Sequence, residues 1–164
     1  MMTLSHVPQT LAEVKEVYGD PDPDGDFVLD GQWYENFTQV YRLPFPMSLY
    51  VPDGKPVNWM RCHKLVGEVI QDALEDVCNY GGLSYLQEHS YDVFGGCFSF
   101  RKMVGGSLLS THSWGIAIDI NPQLGLYLGE DNQPQFIKDA FEKRGFVNLE
   151  RDTMHFMACA CYWR

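Results

Sequence analysis

His112 and Asp119 stand seven residues apart on either side of Gly115, and Asp152 and His155 stand three apart near the C-terminus. Ile116, Ile118 and Ile120 alternate with Ala117, Asp119 and Asn121, the period of a half-buried strand that sends Asp119 to the face opposite the isoleucines. Ala117 is small enough to leave room beside Asp119, and Gly115 lets the chain bend between His112 and the strand. A second strand is predicted around Met154 to Met157, with His155 and Met157 on one face and Met154 and Phe156 on the other. Two imidazoles and a carboxylate are the ligand types of a catalytic zinc, which takes three protein ligands and leaves a fourth position to water, lowering its pKa to about 7. His112, Asp119 and His155 are therefore predicted to hold one Zn²⁺. Asp152, close in sequence to His155, is the candidate general base and acid.

Composition narrows the remaining classes. The chain has 164 residues, 45% of them hydrophobic, which suits one globular domain with a sizeable core. A net charge of −10 opposes a nucleic-acid-binding role and attraction to anionic membranes. No run reaches the roughly 18 apolar residues of a membrane span, and Met1 to Thr10 lacks the basic-then-apolar order of a signal peptide. Synthesis in the cytoplasm without a signal peptide is expected. Five cysteines, an odd number, predict mostly free thiols, and Cys159-Ala160-Cys161 lacks the second pair that a structural zinc site requires.

The periodicities predict an α+β domain. Thr10 and Glu13 form a capping box for a short helix that places Leu11, Val14 and Tyr18 on one face and stops at Gly19. Phe27 to Val57, broken by Pro44, Pro46, Pro52 and Asp53-Gly54, predicts irregular coil and short strands. Val66, Val69, Ile70, Ala73, Leu74 and Val77 recur at helical spacing, predicting the principal helix over 60–79, with Cys62 and His63 extending its face and Gly81-Gly82 ending it. His63 is read as a hydrogen-bonded packing residue. A further helix is predicted over 132–144, capped by Asn132, with Pro134 in its first turn, Phe136, Ile137, Ala140 and Phe141 inward, and Gly145 as its stop.

The stretch Gly95-Gly96-Cys97-Phe98-Ser99-Phe100-Arg101, then Gly105-Gly106, then Ser110 to Pro122, resembles the zinc D-alanyl-D-alanine carboxypeptidase and L-alanyl-D-glutamate peptidase family, which includes VanY-type enzymes and many phage endolysins. The family signature Ser-x-His-x-x-Gly-x-Ala-x-Asp, followed downstream by Asp or Glu, two residues and His, is present in order. Resemblance is densest from about Tyr91 to Pro122 and from Gly145 to Phe156, while Leu11 to Tyr80 agrees only in features such as Cys62-His63-Lys64. It implies a Hedgehog/D,D-peptidase-like fold, in which a small antiparallel sheet carries the zinc site among packed helices. A single domain over 1–164 is expected, with an N-terminal helix and irregular wrap over 1–60 and a catalytic core over 61–164.

The resemblance also implies residue roles. Arg101 matches an arginine that grips a substrate carboxylate or the developing oxyanion, Ser110 bonds substrate or a ligand, and Trp114 is a cleft wall or a packing residue. Asp152 receives the general-base role again. The implied activity is zinc-dependent hydrolysis of a peptidoglycan stem peptide by a monomer that acts on the cell wall after release. L-alanyl-D-glutamate endopeptidase activity is favoured over D-alanyl-D-alanine carboxypeptidase activity because the chain is compact and has no export signal. A catalytically silent, zinc-stabilised wall-binding module is the alternative of a different class. The chain departs from the family at Met157, where a glutamate commonly stands, and at Val147-Asn148-Leu149, which lacks a tryptophan-glycine pattern.

Overall fold

The computed structural model describes residues 1–51 and 54–161. Its helices are α1 (Leu11–Tyr18), α2 (Gly31–Phe37), α3 (Gly67–Glu88) and α4 (Gln135–Glu142). Its strands are β1 (Thr38–Leu49), β2 (Pro56–His63), β3 (Val93–Gly96), β4 (Ala117–Ile120), β5 (Val147–Leu149) and β6 (Asp152–Met157). Among the described residues these strands make one sheet in the order β2-β1-β3-β4-β6-β5. Every neighbouring pair is antiparallel except β1 with β3, so the expected antiparallel sheet holds over β3, β4, β6 and β5 and is extended by a parallel junction.

Residues 1–60 are more regular than their composition predicts. Asp30 caps α2 by accepting from Trp33 N, and β1 then runs through both Pro44 and Pro46. Its pairing with β2 is interrupted between Arg42 and Met47, and prolines without an N–H are accommodated at that interruption. Where irregular coil and short strands are expected, a helix and two longer sheet strands follow an irregular segment over 19–30, and the breaks expected at Pro52 and Asp53 lie outside the described residues.

The expected helix over 60–79 is also displaced. Met60 and Cys62 are buried residues of β2, and α3 begins only at Gly67, after a turn in which Val66 N donates to His63 O. A spacing of four, as between Cys62 and Val66, satisfies both a strand face and a helix face, so the two periods merge in the sequence. From Val66 onward the predicted residues Val66, Val69, Ile70, Ala73, Leu74 and Val77 are all buried. Gly82, at φ 81°, breaks the helical path, yet the chain re-enters a helix through Glu88 and buries Leu86. In α4 the cap position belongs to Pro134 rather than Asn132. Ile137, Ala140 and Phe141 are buried, and Phe141 stacks on Phe156 of β6. Arg144, also buried, ties this end of α4 to α3 through Asp72 and Asp76.

α1 forms as predicted, with Thr10 Oγ1 accepting from Glu13 N, while the Glu13 carboxylate accepts from Gln9 N. Its last residue, Tyr18, reaches the core behind β6 and donates its hydroxyl to Ala158 O at 3.0 Å. His63 packs there as a buried residue. Leu65 N donates to Nδ1 at 3.1 Å, which leaves the hydrogen on Nε2 to be donated to Tyr18 O at 3.1 Å. This neutral tautomer has no favourable place for a second proton. Burial pushes the His63 pKa down to about 4, against a smaller opposing effect of the Tyr18 carbonyl.

A depressed histidine pKa makes the fold less stable in acid, because the unfolded chain takes up the proton near pH 6.5 and the folded chain does not. The stabilisation is complete above that pH and is lost as pH falls toward 4. Between pH 7 and pH 5 this amounts to about 2 kcal/mol. In urea titrations with a chelator present, the wild type should lose about that much more stability over this interval than His63→Gln. Equal losses would show that His63 titrates near its ordinary value in the folded protein.

Candidate metal centre

Register builds the centre. β4 and β6 pair antiparallel with Asp119 directly opposite His155, so both side chains leave the same face of the sheet. His112 arrives from a one-turn 3-10 helix, Thr111–Trp114, in which Ser110 Oγ accepts from His112 N at 3.4 Å. Gly115 then turns the chain into β4 in the left-handed region, at φ 65°. A Cβ at this position would lie 2.9 Å from His63 N, so glycine is required by both conformation and space. Gly95 on β3 has a similar role beside Asp119, since its Cβ would come within 2.7 Å of the Asp119 Cβ.

The three side chains converge on one point. Asp119 Oδ1 lies 3.2 Å from His112 Nε2 and 2.8 Å from His155 Nδ1, and one ligand atom from each residue falls within 4.8 Å of the others. The far nitrogens are already engaged. His112 Nδ1 donates to Cys97 O at 2.5 Å, and His155 Nε2 pairs with Thr111 Oγ1 at 3.0 Å. Holding the outer nitrogen fixes each ring and directs the inner nitrogen toward a common site. Burial would raise the Asp119 pKa, but its pairing with the His112 and His155 rings outweighs it and holds the carboxyl well below the usual range. A buried, ionised carboxylate flanked by two imidazoles, each with one oriented nitrogen, is a donor set that suits Zn²⁺.

Asp119 and His155 of the cluster open onto a cavity of about 240 Å³ that Arg101, Ser110, Thr111 and Asp152 also help to line. Asp152, the first residue of β6, is half-buried, and its Oδ1 is buried without a hydrogen-bond partner among the described residues. Burial raises its pKa, Asp119 adds to the rise, and His155, His112 and Arg101 oppose it. Glu150, the neighbouring acid, is exposed and is not part of the cavity lining.

Arg101 is held by its backbone, which accepts from Ser110 N at 2.9 Å and donates to Ser113 Oγ at 3.0 Å. Its guanidinium is exposed at the cavity, where Nη1 donates to the neighbouring Lys102 carbonyl at 3.3 Å. Ser110 lines the cavity, but its hydroxyl also caps the His112 turn. Trp114 does not join the cavity. It is 1% exposed and donates its indole N–H to Gly19 O at 2.9 Å, so of its two expected places it takes the packing one. The five cysteines are free thiols, as composition predicts, and Cys159 and Cys161 lie 3.6 Å apart at sulfur.

Several supporting groups are not evident from sequence. Thr111 adjoins His112 in the motif, and that adjacency is its only local signal. The Cys97 carbonyl carries no side-chain signal at all. Asn148 lies in the segment that departs from the family pattern, and its Nδ2 donates to His155 O at 2.9 Å and to Thr153 O at 3.1 Å, bracing β6 beside β5. Met157 is buried opposite Ala117 and lines the cavity where the resemblance expects a glutamate. The outer nitrogens of the histidines are held by Thr111 and Cys97, neither of which needs that carboxylate.

Residues 104–158, about a third of the chain, match a family model described as D-alanyl-D-alanine carboxypeptidase. The matched segment contains His112, Asp119, Asp152 and His155, while Arg101 falls before it. This similarity supports a peptidase. No curated protein and no solved structure gives a match. Among the described residues, no helix is long and apolar enough to cross a membrane.

Proposed function

We propose that the protein is a zinc-dependent peptidase that cuts peptidoglycan stem peptides, with the bond between L-alanine and D-glutamate as its target. The observation that carries this reading is the convergence of His112 Nε2, Asp119 Oδ1 and His155 Nδ1 beside a cavity-lining carboxylate, Asp152, whose Oδ1 has no partner among the described residues. His112, Asp119 and His155 would hold the ion. A bound zinc supplies Lewis acidity, which activates water at neutral pH and polarises the scissile carbonyl.

Asp152 supplies the proton chemistry. Its ionised form accepts a proton from the attacking water and then returns it to the nitrogen of the leaving amine. The raised pKa brings the carboxyl closer to neutrality, where both transfers are efficient. Arg101 binds a substrate carboxylate through its planar fork. Because this arginine is exposed, it suits a γ-linked D-glutamate, which has a free α-carboxylate and continues into further peptide. In this reading Ser110 orients the His112 turn and borders the substrate. The protein works as a monomer at the cell wall.

D-alanyl-D-alanine carboxypeptidase activity is the second reading, favoured by the description of the matching family. The pentapeptide L-alanyl-γ-D-glutamyl-L-lysyl-D-alanyl-D-alanine contains both bonds. Mass spectrometry of its digest should show release of the N-terminal L-alanine, whereas release of D-alanine supports the second reading and an intact peptide refutes both. Arg101→Lys should keep its zinc and lose about tenfold or more in kcat/KM, because an ammonium cannot replace two parallel N–H donors. Unchanged kinetics would remove Arg101 from substrate binding.

A further inference from the structure

The cavity has an apolar part that the chemistry above does not use. Met103, Val104, Tyr127, Leu149, Met154 and Met157 line it together with the polar residues. Three of these, Met103, Val104 and Tyr127, belong to two turns that expose large apolar side chains to solvent. Val104, 83% exposed, stands in the turn made by Met103 to Gly106, and Leu126, Tyr127 and Leu128 are consecutive at 46%, 58% and 63%. Single exposed apolar residues are ordinary, but here they fall on two turns that reach the same cavity, a pattern that marks a binding surface.

Both turns are held in place. Met103 N donates to Leu108 O at 2.9 Å and Gly106 N to Met103 O at 3.0 Å, above a bridge between Lys102 and Leu109. Leu128 N donates to Arg151 O at 2.7 Å and Met154 N to Gly125 O at 3.1 Å, which fastens the second turn to the chain on both sides of Asp152. Gly125 packs so closely that a Cβ there would lie 2.1 Å from Thr153 Oγ1. Leu128 occupies the left-handed region at φ 60°, where a glycine would sit at less cost. The hydrogen bond to Arg151 O holds the leucine backbone there, while its side chain, 63% exposed, adds little to packing.

We propose that the turns at 103–106 and 126–129 form apolar jaws across the cavity, with Tyr127 the specificity-determining contact for aliphatic parts of the substrate beside the scissile bond. This rests on the peptidase reading. The polar residues of the cavity take the carbonyl and a carboxylate of the substrate. What remains of a stem peptide near that bond is the alanine methyl and the methylene stems of glutamate and the diamino acid. Those groups suit a wall of methionine, valine and a tyrosine ring, which complements them without hydrogen bonds.

Zinc-loaded wild type, Tyr127→Ala, Tyr127→Phe and Leu128→Gly are compared on the same pentapeptide, with melting temperature recorded for each. Tyr127→Ala should raise KM about tenfold, the effect of losing one well-covered apolar contact, with kcat changed less than about twofold. Tyr127→Phe should restore KM. Leu128→Gly, which leaves Tyr127 in place at a position outside the cavity lining, should keep KM within about twofold of wild type, and a KM raised as far as that of Tyr127→Ala would overturn the assignment of the contact to Tyr127. An unchanged KM in Tyr127→Ala, or a Tyr127→Phe variant as impaired as Tyr127→Ala, would overturn the jaws while leaving the peptidase reading intact. A wild type that cleaves no bond of the pentapeptide would overturn the peptidase reading itself, and the substrate class assigned to the jaws with it.

Discussion

Asp152→Asn is expected to retain about one zinc per chain while losing hydrolysis of the stem pentapeptide by on the order of 10²-fold or more. The substitution keeps the size of the side chain and its capacity to hydrogen-bond, but an amide oxygen does not take up a proton at neutral pH. Asp152 lines the cavity without belonging to the cluster that His112, Asp119 and His155 form, so its loss leaves the three candidate ligands in place. Elemental analysis and pentapeptide kinetics on the same preparation separate the two effects. Full activity at saturating zinc would refute the general-base role. The exposed Glu150 would be a poor successor, since it stands outside the cavity lining. A protein that binds zinc and never cleaves, before or after this substitution, would instead be a silent wall-binding module.

His112→Ala and His155→Ala should both lose metal and, with it, hydrolysis. Each removes one of three donors whose partner atoms converge within 4.8 Å. Thr111→Val provides the scale for this prediction, because it removes only the group that pairs with His155 Nε2. Loss of a group that orients a ligand typically costs about 10–100-fold in metal affinity, and loss of the ligand itself should cost more. Zinc competition against a chromogenic chelator should therefore rank wild type above Thr111→Val, and Thr111→Val above either alanine variant. Undiminished occupancy in His112→Ala or His155→Ala would refute the ligand assignment.

The parts of the fold that the sequence reveals are those in which a single period governs a stretch uninterrupted. The isoleucine alternation locates β4 and gives Asp119 its face, and the spacing from Val66 to Val77 locates the buried side of α3. Where two periods meet, sequence misplaces the boundary. Cys62 and His63 look like the start of a helix because four residues satisfy both repeats, yet the edge of the sheet claims them as the end of β2. Pro44 and Pro46 suggest coil because proline disrupts a paired strand, but β1 carries both across its break in pairing with β2.

For the site, the order of residues set which chemical groups were available. It specified two imidazoles and two carboxylates, the phase that puts Asp119 on one face of β4 and His155 on one face of β6, and a glycine at the turn between His112 and β4. How those groups meet depends on the packing of the folded chain. The pairing of Asp119 with His155 is a matter of strand register, and the contacts of His112 with the Cys97 carbonyl and of His155 with Thr111 join residues 15 and 44 positions apart. No local period encodes contacts at such separations, because they depend on how separate elements dock. The same docking turned Trp114 into the core and left Asp152 Oδ1 buried without a partner among the described residues. Side-chain type can be read from a chain, but which nitrogen faces the site and which carboxylate is desolvated depend on neighbours that only folding supplies.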